Sequence, residues 1–390
     1  MTPDYRHTLL FSCTVAFFAT VTARLVISPV VPDIVDAFST SNSAVGLALT
    51  GMWAAYALTQ FPSGILGDRF GERRVILLAV VGTAVCSGLL ALSPTFWLFA
   101  LLALCLGVAA GLHYIVATAL LTRNFERTGR AIGFHVTGAP LAGLLAPAAA
   151  ALVATWYGWR AAVLVGAAVA VPAAALFAAT VRPEPPQFPD RRMRDRVELG
   201  SVVRLYRRGP ILYATVLSVL GAFTWQATAS FLPAFLEAHH GLSRAVAGGL
   251  FSVYFFIHGA LQPLMGSLSD RFSRDAIAAV TMGLGIVGYG SVVVVDSFSL
   301  VVAATVCVGV AMTWGAPLQS KFIDVLGEQE RGAGFGLVRT VYMLLGALGS
   351  VAIGVVADLF GWPVAFGSLA GIMALGLLCI IWNNVFGAGY

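Results

Sequence analysis

Gly64-Ile65-Leu66-Gly67-Asp68-Arg69-Phe70-Gly71-Glu72-Arg73-Arg74 is a short run of glycines and charges set between two long apolar stretches. It recurs, altered, as Gly266-Ser267-Leu268-Ser269-Asp270-Arg271-Phe272, 202 positions later. Three further anchors repeat in the same order at nearly the same offset. Val31-Pro32 with Asp36-Ala37 returns as Leu232-Pro233 with Glu237-Ala238, Gly129 and Gly133 as Gly332 and Gly336, and Gly158-Trp159 as Gly361-Trp362. An ordered set of matches at one spacing marks an internal duplication. The halves are 1–181 and 210–390, joined by 182–209, a linker rich in Pro and Arg with a short surface helix expected around 197–206.

The segments around these anchors are apolar enough to live in lipid. Hydrophobic residues make up 59% of the 390-residue chain and charged residues 11%. A water-soluble surface needs more ionic groups than that. Apolar spans lie near 9–31, 44–66, 75–93, 96–121, 131–154, 161–181, 210–232, 244–265, 276–295, 298–322, 334–357 and 364–385. Each is long enough to cross a bilayer as a helix. The expected fold is therefore an all-α polytopic membrane protein, with twelve transmembrane helices in two pseudo-symmetric six-helix bundles. The first span follows Arg6 and could be mistaken for a signal peptide, but its run is too long and no small-residue cleavage site follows.

Charge sets the expected orientation. Nineteen of the twenty-three basic residues fall in alternate connections, including eight arginines in 182–208. The opposite connections carry only Arg160 and Arg244, alongside Asp33, Asp36, Glu237, Asp296 and Asp358. Basic loops stay cytoplasmic, so both termini are expected inside, in the plasma membrane. The net charge of +5 is thus a topology signal and not a nucleic-acid surface.

Several chemistries are excluded. Lys321, the single lysine, stands between Ser320 and Phe322, so the chain has no P-loop and must draw on a gradient or a partner. Cys13, Cys86, Cys105, Cys307 and Cys379 all lie in apolar stretches and read as small core residues, not a disulfide set or metal cluster. Gly283-Leu-Gly285-Ile-Val-Gly288 matches a dinucleotide fingerprint, but no strand precedes it within its apolar span; it reads as helix packing, as does Gly107-x-x-x-Gly111. There is no HExxH, no GxSxG and no soluble domain large enough to fold alone. Neither a cofactor nor a metal is expected, and the protein is read as a non-enzymatic monomer in the lipid bilayer.

The remaining polar groups inside the spans carry the functional reading. Arg24 lies deep in the first span, where an arginine costs about 2.5–3.5 kcal/mol and marks function. Thr20, Arg24 and Ser28 recur every four residues, which places the guanidinium on one polar face. The second span sets Trp53, Tyr56 and Gln60 on one face. The duplication maps Tyr56 to His258 and Gln60 to Gln262, with Tyr254 on the same stripe, and maps Arg24 to Trp225 or Gln226. Arg24, Tyr56, Gln60, Gln226, His258 and Gln262 are the candidate substrate-binding residues. Two parallel six-helix repeats joined by a charged loop form a transporter architecture whose site lies at the midplane between halves.

The Gly64–Arg74 stretch resembles the signature loop between the second and third helices of the major facilitator superfamily, and the resemblance covers essentially the whole chain. It implies a gating role for Gly64, Asp68, Arg69, Gly71 and Arg73, with Asp68 bracing the start of the eleventh span near Gly332. Asp270 and Arg271 are the equivalents in the second copy, where Ser273 replaces the later glycine and Asp275 the second arginine; that copy is expected to matter less. Arg24-Leu-Val-Ile-Ser-Pro-Val-Val-Pro32, followed by Tyr56-Ala-Leu-Thr-Gln60-Phe-Pro-Ser-Gly64, is most similar to the anion:cation symporter branch. That similarity implies an ion-driven carrier for a small organic anion, coupled to protons or sodium. Many of those symporters have an acidic residue just before the arginine, and here it is Ala23. His113, His135 and His258, which can titrate near neutral pH, are the substitute proton-coupling candidates. The alternative is a drug-efflux proton antiporter of the same superfamily. Gly138-Ala-Pro140-Leu-Ala-Gly143 partly resembles the antiporter motif, but its proline is displaced and 101–111 lacks the arginine expected there.

Overall fold

A computed structural model describes residues 3–186, 189, 205–327 and 331–386. Among them all regular structure is helical. The first half contains α1 (Pro3–Leu25), α2 (Val31–Ala37), α3 (Asn42–Phe70), α4 (Glu72–Ala91), α5 (Phe96–Gly111), α6 (His113–Asn124), α7 (Thr128–Val136) and α8 (Gly138–Thr180). The second contains α9 (Gly209–His240), α10 (Arg244–Arg271), α11 (Arg274–Val294), α12 (Phe298–Ala311), α13 (Gly315–Val325), α14 (Arg331–Phe360) and α15 (Trp362–Val385). The expected surface helix falls mostly on 197–204, outside the described residues.

These fifteen helices make twelve membrane crossings. α5 with α6 forms one crossing, α7 with the first part of α8 another, and α12 with α13 a third. α8 is two crossings joined at Gly158, whose φ of 80° and ψ of 171° break the helix. Gly361 makes the same turn between α14 and α15, at φ 83° and ψ 166°. Only glycine adopts that conformation readily, which is why both Gly-Trp pairs mark the entry to the last helix of each half. α3, at 29 residues, is about 44 Å long and spans easily.

Large apolar side chains that would be buried in a soluble protein stand exposed: Leu78 is 60% accessible, Leu101 57% and Leu378 59%. Trp97, Trp156, Tyr157 and Trp382 are exposed near helix ends, the aromatic placement of a membrane–water boundary.

By packing, the chain divides into two compact units: Met1–Thr40 with Gly51–Val197, and Ser41–Thr50 with Glu198–Tyr390. The first unit is cored by Leu9, Cys13, Ile76, Val80, Val116, Leu120 and Phe177 from α1, α4, α6 and α8. Small residues bring its helices together. A Cβ at Gly111 would lie 2.6 Å from the Tyr56 carbonyl oxygen, and one at Gly107 would strike the Met52 carbonyl, so α5 sits directly on the backbone of α3. In the second unit Gly285 lies against Met373 and Gly288 against the backbone of α12, which makes the apparent dinucleotide fingerprint a packing surface.

The first turns of α3 belong to the second unit. The Asp358 carboxylate, on α14, accepts hydrogen bonds from the backbone N–H groups of Asn42 (3.1 Å) and Ser43 (2.7 Å) and from Asn42 Nδ2 (2.9 Å). One helix thus caps the N-terminus of another, where orphan donors and the helix dipole both favour a carboxylate. A turn and two turns on, Gly46 fits against Ser350, and Thr50 Oγ1 donates to Ala347 O (2.9 Å) and accepts from Val351 N (3.1 Å).

The second signature copy is inverted in charge and not merely decayed. Glu72, at the first position of α4, pairs with Arg123 at the end of α6, 2.6 Å apart. The equivalent positions 202 and 201 residues later are Arg274 and Asp324, 2.9 Å apart, at the start of α11 and the end of α13. Arg73 donates to the carbonyls of Val181 (2.6 Å) and Ala178 (2.8 Å), holding the end of α8. Asp275, its counterpart, accepts from Asn383 on α15 and from Lys321, at 3.4 and 2.7 Å. Ser273 can replace Gly71 because the backbone differs. Gly71 has φ 88°, whereas Ser273 is extended at φ −165° and caps α11 through Ala276 N.

Candidate functional site

In the first unit Arg24 occupies the last turn of α1 and is 4% exposed. Its Nε donates to the Thr20 carbonyl at 3.2 Å. The guanidinium carbon lies 4.0 Å from the Tyr56 ring centroid and 5.0 Å from that of Trp53. The two rings meet edge to face. Aromatic faces stabilise a cation without neutralising it. Among the described residues no carboxylate pairs with Arg24. The Trp53–Tyr56 stripe of α3 therefore meets Arg24 as a cage. Gln60 lies one turn further on and is buried.

Two details differ from the sequence expectation. Ser28 does not continue the Thr20–Arg24 face, because α1 ends at Leu25 and Ser28 opens a 3-10 turn. Pro29 and Pro32 force this, since neither ring tolerates a preceding helical turn. Ala23 faces α8, where a Cβ at Gly166 would lie 2.9 Å from its Cα. That close approach leaves no room for an acidic side chain at 23.

His113 and His135 come together in the core of the first unit, with ring centroids 5.6 Å apart. Phe17 packs on both, 5.7 and 5.1 Å away, and Tyr114 lies 6.3 Å from His135. His113 opens α6, directly after Leu112, where the backbone stays helical and the hydrogen bonding tightens toward Ala109.

In the second unit, Tyr254, His258 and Gln262 form the expected stripe on α10. Tyr254 stacks on His258, and Gln262 Nε2 lies 3.0 Å from His258 Nε2. Trp225 of α9 meets His258 at 6.4 Å. Gln226 does not join them. It is 1% exposed and donates through Nε2 to the Met343 carbonyl at 3.0 Å, fastening α9 to α14. Of the two residues that the duplication offered opposite Arg24, Trp225 is the one on the His258 side.

The signature residues sit as turn and clasp. Gly64 approaches Ile115, Gly71 turns into α4 and Arg73 holds α8. Asp68 is half-buried, and Arg69 is exposed and stacked on Phe70. Asp270 pairs with Arg274, and Arg271 lies over Phe272. The side chains around Gly332 lie outside the described residues. Sequence reasoning missed the Glu72–Arg123 and Arg274–Asp324 clasps, whose partners are some fifty residues apart. A separate cleft of about 840 Å³, lined by Arg6, His7, Glu126, Arg127, Arg130 and Phe134, holds none of the candidate residues.

The family description Major Facilitator Superfamily matches residues 13–243 and 214–388, nearly the whole chain. The chain belongs to the major facilitator superfamily. It is a membrane transporter of small solutes and not an enzyme. It is similar to the human voltage-gated purine nucleotide uniporter SLC17A9, at 26% identity across 90% of this chain and 84% of the relative. The hexuronate transporter of Bacillus subtilis is 21% identical across 92% and 90%. Among solved structures, an inward-facing bacterial homologue of the lysosomal transporter Spinster superposes with a TM-score of 0.81 at 16% identity, covering 98% of this chain and 96% of that one. That likeness concerns the fold.

Proposed function

We propose that this chain carries a small organic anion across the plasma membrane by alternating access, driven by a proton or sodium gradient. Arg24 is the observation that supports this most strongly. A cation buried this deep in a membrane helix needs a counter-charge, and aromatic faces provide only part of one. An anionic substrate completes the pairing, and the planar guanidinium fork suits a carboxylate or phosphate. Tyr56 and Trp53 orient the fork, and Gln60 offers a neutral hydrogen bond beside it. The named substrates of the two relatives, purine nucleotides and hexuronates, are both anionic. Asp68, Arg69 and Arg73 with their glycines act as the gate, Asp270 and Arg271 as its counterpart. His113, His135 and His258 are the groups placed to take up a coupling proton. The basic loops put both termini in the cytoplasm, and the carrier works as a monomer.

The experiment is uptake into proteoliposomes by wild type and by Arg24→Ala, with insertion checked by size-exclusion profile. Anion uptake lost in the variant supports the proposal. Saturable transport of a cationic dye that ignores position 24 would instead favour drug efflux.

A further inference from the structure

The cleft of about 840 Å³ in the first unit is built in two tiers, whose order follows from chain direction. α1 enters the membrane from its start at Pro3 and α7 from Thr128, so in both helices higher numbers lie deeper. The outer tier is charged: Arg6 comes from α1, and Arg127 and Arg130 from the entry to α7. About one turn deeper, roughly 5 Å, the lining changes to Leu10 and Phe11 on α1 and to Phe134 on α7. Phe11 is 55% exposed and Phe134 51%. Phe125, on the connection between α6 and α7, extends this apolar wall.

The charges of the outer tier are poorly compensated. Glu126 is the one carboxylate lining the cleft; its side chain is 89% exposed and meets Arg6 Nη1 only at 3.8 Å. Arg6 Nε is buried and makes no hydrogen bond. Among the described residues no carboxylate pairs with Arg127 or Arg130. Three arginines against one glutamate leave a surplus of two positive charges at the membrane boundary, above a shelf of exposed rings. A soluble anion would satisfy the arginines and leave the rings uncovered, and an apolar solute would do the reverse. A phospholipid meets both tiers, with phosphate oxygens on the guanidinium forks and the glycerol and first methylenes on the rings. The linker does not complement the cleft, because 182–208 carries eight arginines against four acidic residues.

We infer that this cleft binds the headgroup of an anionic phospholipid, and that its two surplus charges select a headgroup with two phosphates, a diphosphatidylglycerol, over one with a single phosphate. The bound lipid ties the first turn of α1 to the connection between α6 and α7. The long, solvated Arg6–Glu126 pair does this only weakly. The lipid is not the carried solute, since none of the residues proposed to hold that solute lines the cleft. The inference therefore stands or falls independently of the anion carrier.

The test is native mass spectrometry of the purified chain released from phosphatidylcholine nanodiscs that contain equal, small amounts of phosphatidylglycerol and diphosphatidylglycerol. Wild type should retain a single diphosphatidylglycerol, in about tenfold preference to phosphatidylglycerol. Arg127→Gln with Arg130→Gln should lower that retention about tenfold. Phe134→Ala should lower it several-fold with no change of charge, a loss that electrostatic attraction alone would not give. All three side chains are exposed, so the variants should keep the wild-type size-exclusion profile. Arg74→Gln, which removes an exposed arginine outside the cleft, should retain the lipid as wild type does. Equal retention of the two anionic lipids would overturn the inference, as would retention indifferent to the cleft variants or lowered as much by Arg74→Gln. Displacement of the lipid by excess inorganic phosphate would also overturn it, since the cleft would then be a site for a free anion.

Discussion

Removing Arg123 should cost the first unit far more than removing Arg274 costs the second, although the two arginines hold corresponding clasps. The Glu72 side chain is 4% exposed and its partner Arg123 26%. Taking one partner from a buried pair leaves an uncompensated charge, at about 3–5 kcal/mol. Glu72 keeps favourable contact with the N-terminus of α4, and Arg123 is not fully buried, so Arg123→Ala is placed at about 3 kcal/mol. In the second clasp Asp324 is 55% exposed and Asp270, the other partner of Arg274, 65%. Solvated pairs contribute about 1 kcal/mol or less, which sets the expectation for Arg274→Ala. The assay is thermal unfolding of purified protein in detergent. At about 2–4 °C per kcal/mol for a unit of this size, Arg123→Ala should fall by about 6–12 °C and Arg274→Ala by no more than about 4 °C. The duplication supplies a stronger check. The second unit already runs this clasp with opposite polarity, so Glu72→Arg with Arg123→Glu should restore most of the loss. Glu184, 3.4 Å from Arg123, would repel the new carboxylate, so the exchange is made with Glu184→Gln. Equal losses at positions 123 and 274, or an exchanged pair no better than Arg123→Ala, would refute the reasoning.

Three other outcomes are expected. Asp68→Asn should insert and bind anion normally but slow uptake, measured as initial rates in proteoliposomes; an unchanged rate would remove the gate role. Gly111→Leu should push α5 off the Tyr56 carbonyl, with an overpacking cost of about 1–3 kcal/mol and weaker anion binding, read by thermal shift with and without anion. Arg24→Lys should retain less than a tenth of wild-type uptake despite keeping its charge, because an ammonium neither stacks on Tyr56 nor forks to a carboxylate; near-normal uptake would show that charge alone suffices.

The spans, the duplication and the Gly-Trp turns could be read from the sequence because each depends on local pattern: apolar length, repeated anchors, a glycine where φ must be positive. The Trp53–Tyr56 stripe and the α10 stripe were legible for the same reason, since helical spacing fixes a face. The neighbours Trp225 and Gln226 were not separable. One residue turns a helix by about 100°, and the packing of α14 decides which of them is buried. The clasps were invisible because their partners meet only through tertiary packing, and charge inversion disguised their equivalence.

Counterflow tests the central claim most directly. Proteoliposomes loaded with unlabelled glucuronate and diluted into labelled glucuronate, with no ion gradient imposed, should show a transient internal excess of label. Arg24→Ala should abolish it. Absence of that overshoot in well-inserted wild-type protein for every organic anion tried, or an overshoot that survives loss of Arg24, would contradict the account.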